Sequence, residues 1–329
     1  MIDFGSVVRQ CLTATVALGL VAGAGQWAAP SVAAETKKAV LILNQPEGDP
    51  FGDLVFSGLQ RLNKEEGVEA KEIAGVQPAA YEQQVRAMAE QGYSPVLVLW
   101  DDLANVVTKL APSYPNTQFV IVDSYANPGL PNVATLVIDP TGAAYVGGVV
   151  AAKLTKTHKI GFVGGADQPV IKKYLCGFET GIHSVDANDQ VVADYAGTFI
   201  DPARGREMGL SLIGQGADVL IHAANRTGLG MLKAAAEKGK YGIGVDMWQG
   251  DVAPGSVKWT ALKDAGTATY LAAKAAADGK FKPGIFTWDA AAGATLYDQR
   301  DFDALDADTK AAVLKAVGAL KDGSAKLAC

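Results

Sequence analysis

The sequence predicts an α/β protein of two doubly wound, parallel-sheet lobes joined by a hinge that the chain crosses more than once. Three observations predict it. From Lys38 onward, short apolar runs alternate with amphipathic stretches, the pattern of βαβ units. That series runs twice, with a restart around 139–160. The roughly 295 residues after Ala34 also exceed one ordinary core and suit about two domains of ~100–200 residues each.

The segment ahead of this series has a different character. Residues 1–10 form a weakly basic stretch with Asp3 and Arg9, and 11–25 are an apolar run of export-signal length, too short to span a bilayer. Ser31-Val-Ala-Ala34 puts small residues where a signal peptidase needs them, so cleavage is expected after Ala34. A lipid-anchoring cysteine would follow the apolar run, whereas Cys11 precedes it; the expectation is a periplasmic protein without a lipid anchor. No later stretch reaches the ~18 uninterrupted apolar residues of a membrane span.

Candidate strands of the first series are 39–43, 96–100, 119–122 and 134–138; those of the second are 160–163, 191–195, 219–222 and 242–245. Their solid apolar character suits strands covered on both faces. Between them, Asp49-Pro50 offers a capping carboxylate before a proline at the first helical position. Phe51, Val55, Leu59 and Leu62 follow at helical spacing, and Gly67 closes the segment. Tyr81, Val85, Met88 and Ala89 make a second stripe stopped by Gly92. Thr227 opens a helix that runs to Gly239, and Asp306 caps an amphipathic stretch over 309–320. Two late strands, 285–288 and 294–297, must return to one lobe, which requires several crossings. The expected division is an export segment 1–34, a first lobe of 35–139 with about 259–283, and a second of 140–258 with about 284–329.

A cleft between two such lobes is where ligands bind, and the carboxyl ends of parallel strands face it. Asn44, Trp100, Asp123, Gly164, Asn225 and Asp246 follow strands and become candidates on that ground. The formal charge of −6, without clusters of Lys or Arg, argues against a nucleic-acid partner. Gly161-Phe-Val-Gly-Gly165 has its glycines at the wrong offsets for a dinucleotide turn, and no phosphate loop, zinc-protease motif or nucleophile elbow is present. Asp101-Asp102 reads as a helix cap, because adjacent residues on a starting helix point apart. No metal is expected: His158, His183 and His222 are scattered and none stands at ligand spacing from a cysteine. No cofactor, no catalytic residue and a monomeric state are the corresponding expectations. Once Cys11 leaves, Cys176 and Cys329 either pair in an oxidising compartment or stand as unrelated thiols, and spacing leaves both readings open.

Beyond these elements, a set of motifs occurs in register. Asn132-Val-Ala-Thr-Leu-Val-Ile-Asp-Pro-Thr-Gly-Ala-Ala-Tyr-Val-Gly-Gly148 precedes the second lobe. Lys159-Ile-Gly-Phe-Val-Gly-Gly165, Gly177-Phe-Glu-Thr-Gly181, Gly216-Ala-Asp-Val219, Thr227-Gly-Leu-Gly230, Ile243-Gly-Val-Asp246 and Gln249 follow in order. Together they resemble the basic membrane protein family, the purine-nucleoside-receptor-like solute-binding proteins of ABC importers, over about 39–323. The resemblance implies a type I periplasmic-binding fold that captures a nucleoside and hands it to a permease in the inner membrane. By position it implies Phe51 and Phe199 as stacking rings, Asp123 facing the base, and Asp246 with Lys263 holding the sugar. Physics suits those roles. Stacking contributes on the order of 1–3 kcal/mol per base, and a carboxylate accepts from hydroxyls and ring N–H groups.

Three positions depart from the family pattern. Gly52 replaces a base-reading Asn, Trp248 stands where an acid is common, and Trp100 stands where a Gly is frequent. Trp248 and Trp100 therefore join the strand-end residue Asn225 among the candidate ligand contacts, and the ligand expected is a nucleoside or another ring compound. A ligand-presenting signalling receptor of the same fold and a periplasmic nucleoside-processing enzyme are the alternatives.

Overall fold

The computed structural model describes residues 37–327 and 329; the expected export segment, 1–34, lies outside them. Two all-parallel sheets organise the chain. The first contains β1 (Lys38–Ile42), β2 (Glu69–Ile73), β3 (Val96–Leu99), β4 (Phe119–Val122), β5 (Val133–Ile138) and β11 (Gly284–Trp288), in the order β11-β5-β4-β3-β1-β2. The second contains β6 (Lys159–Gly164), β7 (Gln190–Tyr195), β8 (Val219–Ala223), β9 (Tyr241–Asp246) and β10 (Val257–Leu262), in the order β10-β9-β8-β6-β7. Helices α1 (Pro50–Glu66), α2 (Tyr81–Glu90), α3 (Trp100–Leu110) and α8 (Ala265–Ala277) cover the first sheet. Helices α4 (Thr141–Leu154), α5 (Pro169–Val185), α6 (Pro202–Gly214), α7 (Asn225–Glu237), α9 (Gln299–Asp303) and α10 (Ala307–Lys321) belong to the second lobe.

The period-2 alternation of a strand explains the continuous apolar runs. In β1, Ala39 and Leu41 pack towards α1 and α8, while Val40 and Ile42 pack towards α2 and α3, so both faces are buried. The same division holds in β6, where Phe162 and Val163 enter cores on opposite faces of the second sheet. Asp49 caps α1 as expected, accepting from the N–H groups of Phe51 and Gly52 at 3.1 Å each. Among the motif glycines, Gly148 and Gly181 lie where two helices meet. A Cβ at Gly148 on α4 would overlap the Phe178 carbonyl, and one at Gly181 on α5 would overlap that of Tyr145. Side chains there would push the two helices apart.

Several expectations are corrected. Residues 259–262 do not return to the first lobe, because β10 pairs with β9 in the second sheet. Strand β11 does not join the second lobe but pairs with β5. The intervening α8 explains the exchange. Its apolar face lies on α1, where Gly58 leaves room for the Gly266 carbonyl, and β11 follows it into the first sheet beside β5. The expected strand 294–297 is only a single antiparallel bridge between Ala261 and Tyr297. Two strands escaped the sequence reading: β2, a charged Glu-Ala-Lys-Glu-Ile run at a sheet edge, and β10, whose pattern is broken by Lys258.

The chain passes between lobes three times, after β5, after β10 and after β11. Asp264 ties the last two passages together, accepting from Trp288 Nε1 at 3.3 Å and from the Thr295 N–H at 3.1 Å. The open cysteine question resolves as a disulfide: Cys176 on α5 is bonded to Cys329, with 5.8 Å between their Cα atoms.

Candidate ligand-binding cleft

A cavity of about 420 Å³ lies where the carboxyl ends of the two sheets face each other. Asn44 follows β1, Trp100 follows β3, Asp123 follows β4, Asn225 follows β8, Asp246 ends β9 and Lys263 follows β10; all line it. Phe51 joins them from the first turn of α1 and Phe199 from the loop before α6. Seven of the eight expected contacts thus meet around one space.

The eighth does not. Trp248 turns away into the second lobe, where its Nε1 donates to Asp301 Oδ1 at 2.9 Å and the Arg300 guanidinium sits 3.6 Å from its ring centroid. The neighbouring Gln249 fills the space under β9 instead, its Oε1 2.9 Å from His222 Nε2. The indole is left to find its acceptor outside. Gly164 also takes no part in the lining, since its Cα faces the Tyr195 ring.

Backbone strain concentrates here. Among the described residues five non-glycine positions have positive φ, and four of them line the cavity: Trp100 (64°), Asp123 (57°), Asn225 (46°) and Asp246 (68°). Asn and Asp tolerate this region, but a bulky Trp does not, and such conformations cost of order 1–3 kcal/mol each. Trp100 is held by partners. Its ring lies parallel to Phe51, with centroids 5.8 Å apart and planes 10° apart, and its Nε1 donates to Asp123 Oδ2 at 3.1 Å. The two rings are stacked on one another on the first-lobe side. Phe199 faces the cavity from the other lobe, packed over Gly165, where a Cβ would collide with its ring.

The charges are paired in a definite order. Lys263 Nζ lies 2.7 and 2.8 Å from the two oxygens of Asp123, and both side chains are almost wholly buried. The same ammonium stands 5.1 Å from the Phe51 ring centroid. Asp246 Oδ1 accepts from the Tyr174 hydroxyl at 2.6 Å. Burial raises the Asp246 carboxyl above the usual range, a trend that Lys263 and Tyr174 oppose. Burial likewise pushes the Tyr174 hydroxyl up, with Asp246 adding to it. Asn44 Oδ1 is buried without a protein partner, a cost that a ligand N–H or O–H removes.

Other contacts draw the lobes together. Asn225 Nδ2 donates to the Asp49 oxygens at 3.2 and 3.0 Å, and Arg226 donates to the Gly48 carbonyl at 2.7 Å. The amide of Asn225 is therefore committed to bridging the lobes. Lys173 on α5 reaches Asp139 at the first crossing, 2.8 Å away, and lies 5.5 Å from the Tyr125 ring centroid. Tyr174, Tyr125 and Gln168 line the cavity and were missed in the sequence. They sit on or beside α5 or in a loop, and no strand-end signal marks them.

Two facing parallel-sheet lobes with three crossings and a cavity between their strand ends define the type I periplasmic-binding fold. A solute-binding protein of an ABC transporter system from Aeropyrum pernix superposes with a TM-score of 0.78 at 21% identity, covering 88% of this chain and 92% of that one. The chain belongs to the family described as ABC transporter substrate-binding protein PnrA-like, which matches residues 36–311. Among curated relatives, the ABC transporter nucleoside-binding protein BmpA of Lactococcus lactis subsp. cremoris is 30% identical over 296 residues, 83% of each chain. Basic membrane protein A of Borreliella burgdorferi is 28% identical over 248 residues, 73% of this chain and 72% of that one.

Proposed function

We propose that this chain is the exported receptor of an ABC importer and captures a nucleoside or a closely related ring compound in the cleft, without altering it. The observation that carries the reading is the composition of the cavity wall: the stacked rings of Phe51 and Trp100, with Phe199 opposite, beside the acceptors Asp246 and Asn44. A base has the flat face that such rings stack on, and a ribose has the hydroxyls that a carboxylate accepts from. The name of the Lactococcus relative supports the same class.

The electrostatics narrow it further. Lys263 is spent on Asp123, and Asp101 and Asp102 add acidic side chains to the lining. A phosphorylated ligand would bring its charge against carboxylates with no free cation among the described lining residues to meet it, so the neutral nucleoside is preferred over the nucleotide. Asp246 holds Tyr174 and Asp123 holds Lys263, an arrangement suited to gripping donors rather than to transferring protons.

A thermal-shift panel of nucleosides, free bases, nucleotides and other aromatic metabolites tests this. Binding to the folded state alone adds about 2.7 kcal/mol at a hundredfold excess over Kd. Purine or pyrimidine nucleosides are expected to raise the transition and their monophosphates to leave it in place. A shift by another class with none by nucleosides would refute the ligand assignment, and recovery of a cleaved nucleoside would refute the claim of capture without chemistry.

A further inference from the structure

At the opposite end of the second sheet, three donors from distant stretches of sequence converge. His158 immediately precedes β6 and Asp189 immediately precedes β7. The parallel pairing of these strands, with Lys159 opposite Gln190, sets the two residues side by side. Asp186, just past the end of α5, completes the group. One ligating atom from each of the three lies within 4.8 Å of the others.

We infer that His158, Asp186 and Asp189 form a binding site for a divalent transition cation of the zinc type, separate from the solute cleft. His158 and Asp189 are already hydrogen-bonded, and that contact opens to the spacing a cation needs by a small shift. His158 Nδ1 stands 2.7 Å from Asp189 Oδ1 and 3.7 Å from Asp186 Oδ2. Ligands of a tetrahedral zinc, each about 2.0–2.2 Å from the ion, stand roughly 3.4 Å apart, so shifts well under the length of a side chain would seat one.

The electrostatics of Asp189 point the same way independently. Its side chain is only 1% exposed, and its Oδ2 is buried without a hydrogen-bond partner. A buried carboxylate oxygen left unpaired is costly, and a cation is what removes that cost. Asp186 is prepared as well: Asn188 donates to its Oδ1 from both backbone and side chain, at 2.9 and 3.0 Å, which orients the carboxylate and leaves Oδ2 towards the histidine. Two carboxylates and a neutral imidazole give a net charge of −2, matched to a dication. The imidazole nitrogen favours zinc-like ions over calcium and magnesium, which take oxygen sets. With three protein ligands, water takes the fourth position. His158 itself has φ of +57°, a conformation that Asn also tolerates, which makes His158→Asn a conservative probe of the backbone.

The experiment is isothermal titration of chelator-treated, untagged protein with Zn²⁺ and with Ca²⁺, together with Co²⁺ absorption in the visible range. One Zn²⁺ per chain is expected, with no comparable Ca²⁺ binding and a Co²⁺ spectrum of low coordination number. His158→Asn and Asp186→Asn should each weaken Zn²⁺ binding by about tenfold or more. Both variants should keep wild-type circular dichroism, since both positions are substantially exposed, and wild-type affinity for solute. Absence of Zn²⁺ uptake at millimolar concentration, equal uptake by His158→Asn, or equal binding of Ca²⁺ would each overturn the assignment.

Discussion

Replacing Lys263 by Met removes the cation from a buried pair while keeping most of its volume, and the structure says what that should cost. At 2.7 Å, an effective dielectric of 20 gives a gross attraction of about 6 kcal/mol, against several kcal/mol of desolvation for each ion. The net worth of the pair is therefore small. Breaking it is not: Asp123 is left in the wall with Trp100 Nε1 as its remaining donor, and uncompensated buried charges cost about 3–5 kcal/mol. That is a large share of a stability of order 5–15 kcal/mol. Adding Asp123→Asn neutralises the orphan, so the double variant Asp123→Asn/Lys263→Met should recover most of the loss. The assay is urea unfolding of ligand-free protein, comparing midpoints at unchanged slope across wild type, both singles and the double. A loss below about 1 kcal/mol in Lys263→Met, or a double variant as unstable as the two singles added together, would refute the argument that these groups form one buried, mutually compensating pair.

Three further outcomes follow from the same structure. His222 is wholly buried and its Nδ1 accepts from the Ala224 N–H at 3.3 Å, so burial lowers its pKa to about 4 from 6.5. The unfolded chain then binds the extra proton first, and the His222 contribution to stability should fall by about 3 kcal/mol as pH drops from 6.5 towards 4. An NMR titration that finds His222 protonating near 6.5 would contradict this. The Cys176–Cys329 bond closes a span of 153 residues, for which the chain-entropy estimate is about 5 kcal/mol. Reduction or Cys329→Ser should therefore lower stability by roughly 2–5 kcal/mol, and an unfolding midpoint indifferent to reductant would disprove it. Trp100→Gly supplies the residue that φ of 64° favours while deleting one of the two stacked rings. It should weaken ring-ligand binding about five- to hundredfold, the equivalent of roughly 1–3 kcal/mol, yet cost less stability than Phe51→Ala, whose ring belongs to the buried core. Calorimetry and unfolding on the two variants check both halves.

Much of this molecule is readable from local chemistry. Strands buried on both faces must be apolar without interruption, so β1, β3, β4, β5, β6, β8 and β9 announce themselves. Asp49-Pro50 marks its helix start because the cap needs only adjacent residues. The site candidates were legible by two routes: in parallel sheets the carboxyl ends face the cleft, which brought Asn44, Trp100, Asp123, Asn225 and Asp246 forward, and the family resemblance supplied Phe51, Phe199 and Lys263.

What the sequence left undecided depended on contacts between distant residues. Whether Trp248 faces the cleft turns on Asp301, 53 positions away, which offers its indole an acceptor in the other direction. Tyr174 enters the cleft because α5 is packed on α4 through glycines, and the pairing of Cys176 with Cys329 rests on where the C-terminal segment lies. Edge strands β2 and β11 carry polar or exposed side chains, so periodicity cannot assign them to a sheet, and only hydrogen-bonded neighbours do. Local pattern sets which segments are strands and helices, because burial and capping act within a few residues. Which side chains share a wall is set by packing across the whole chain, and that information exists only once the lobes have formed.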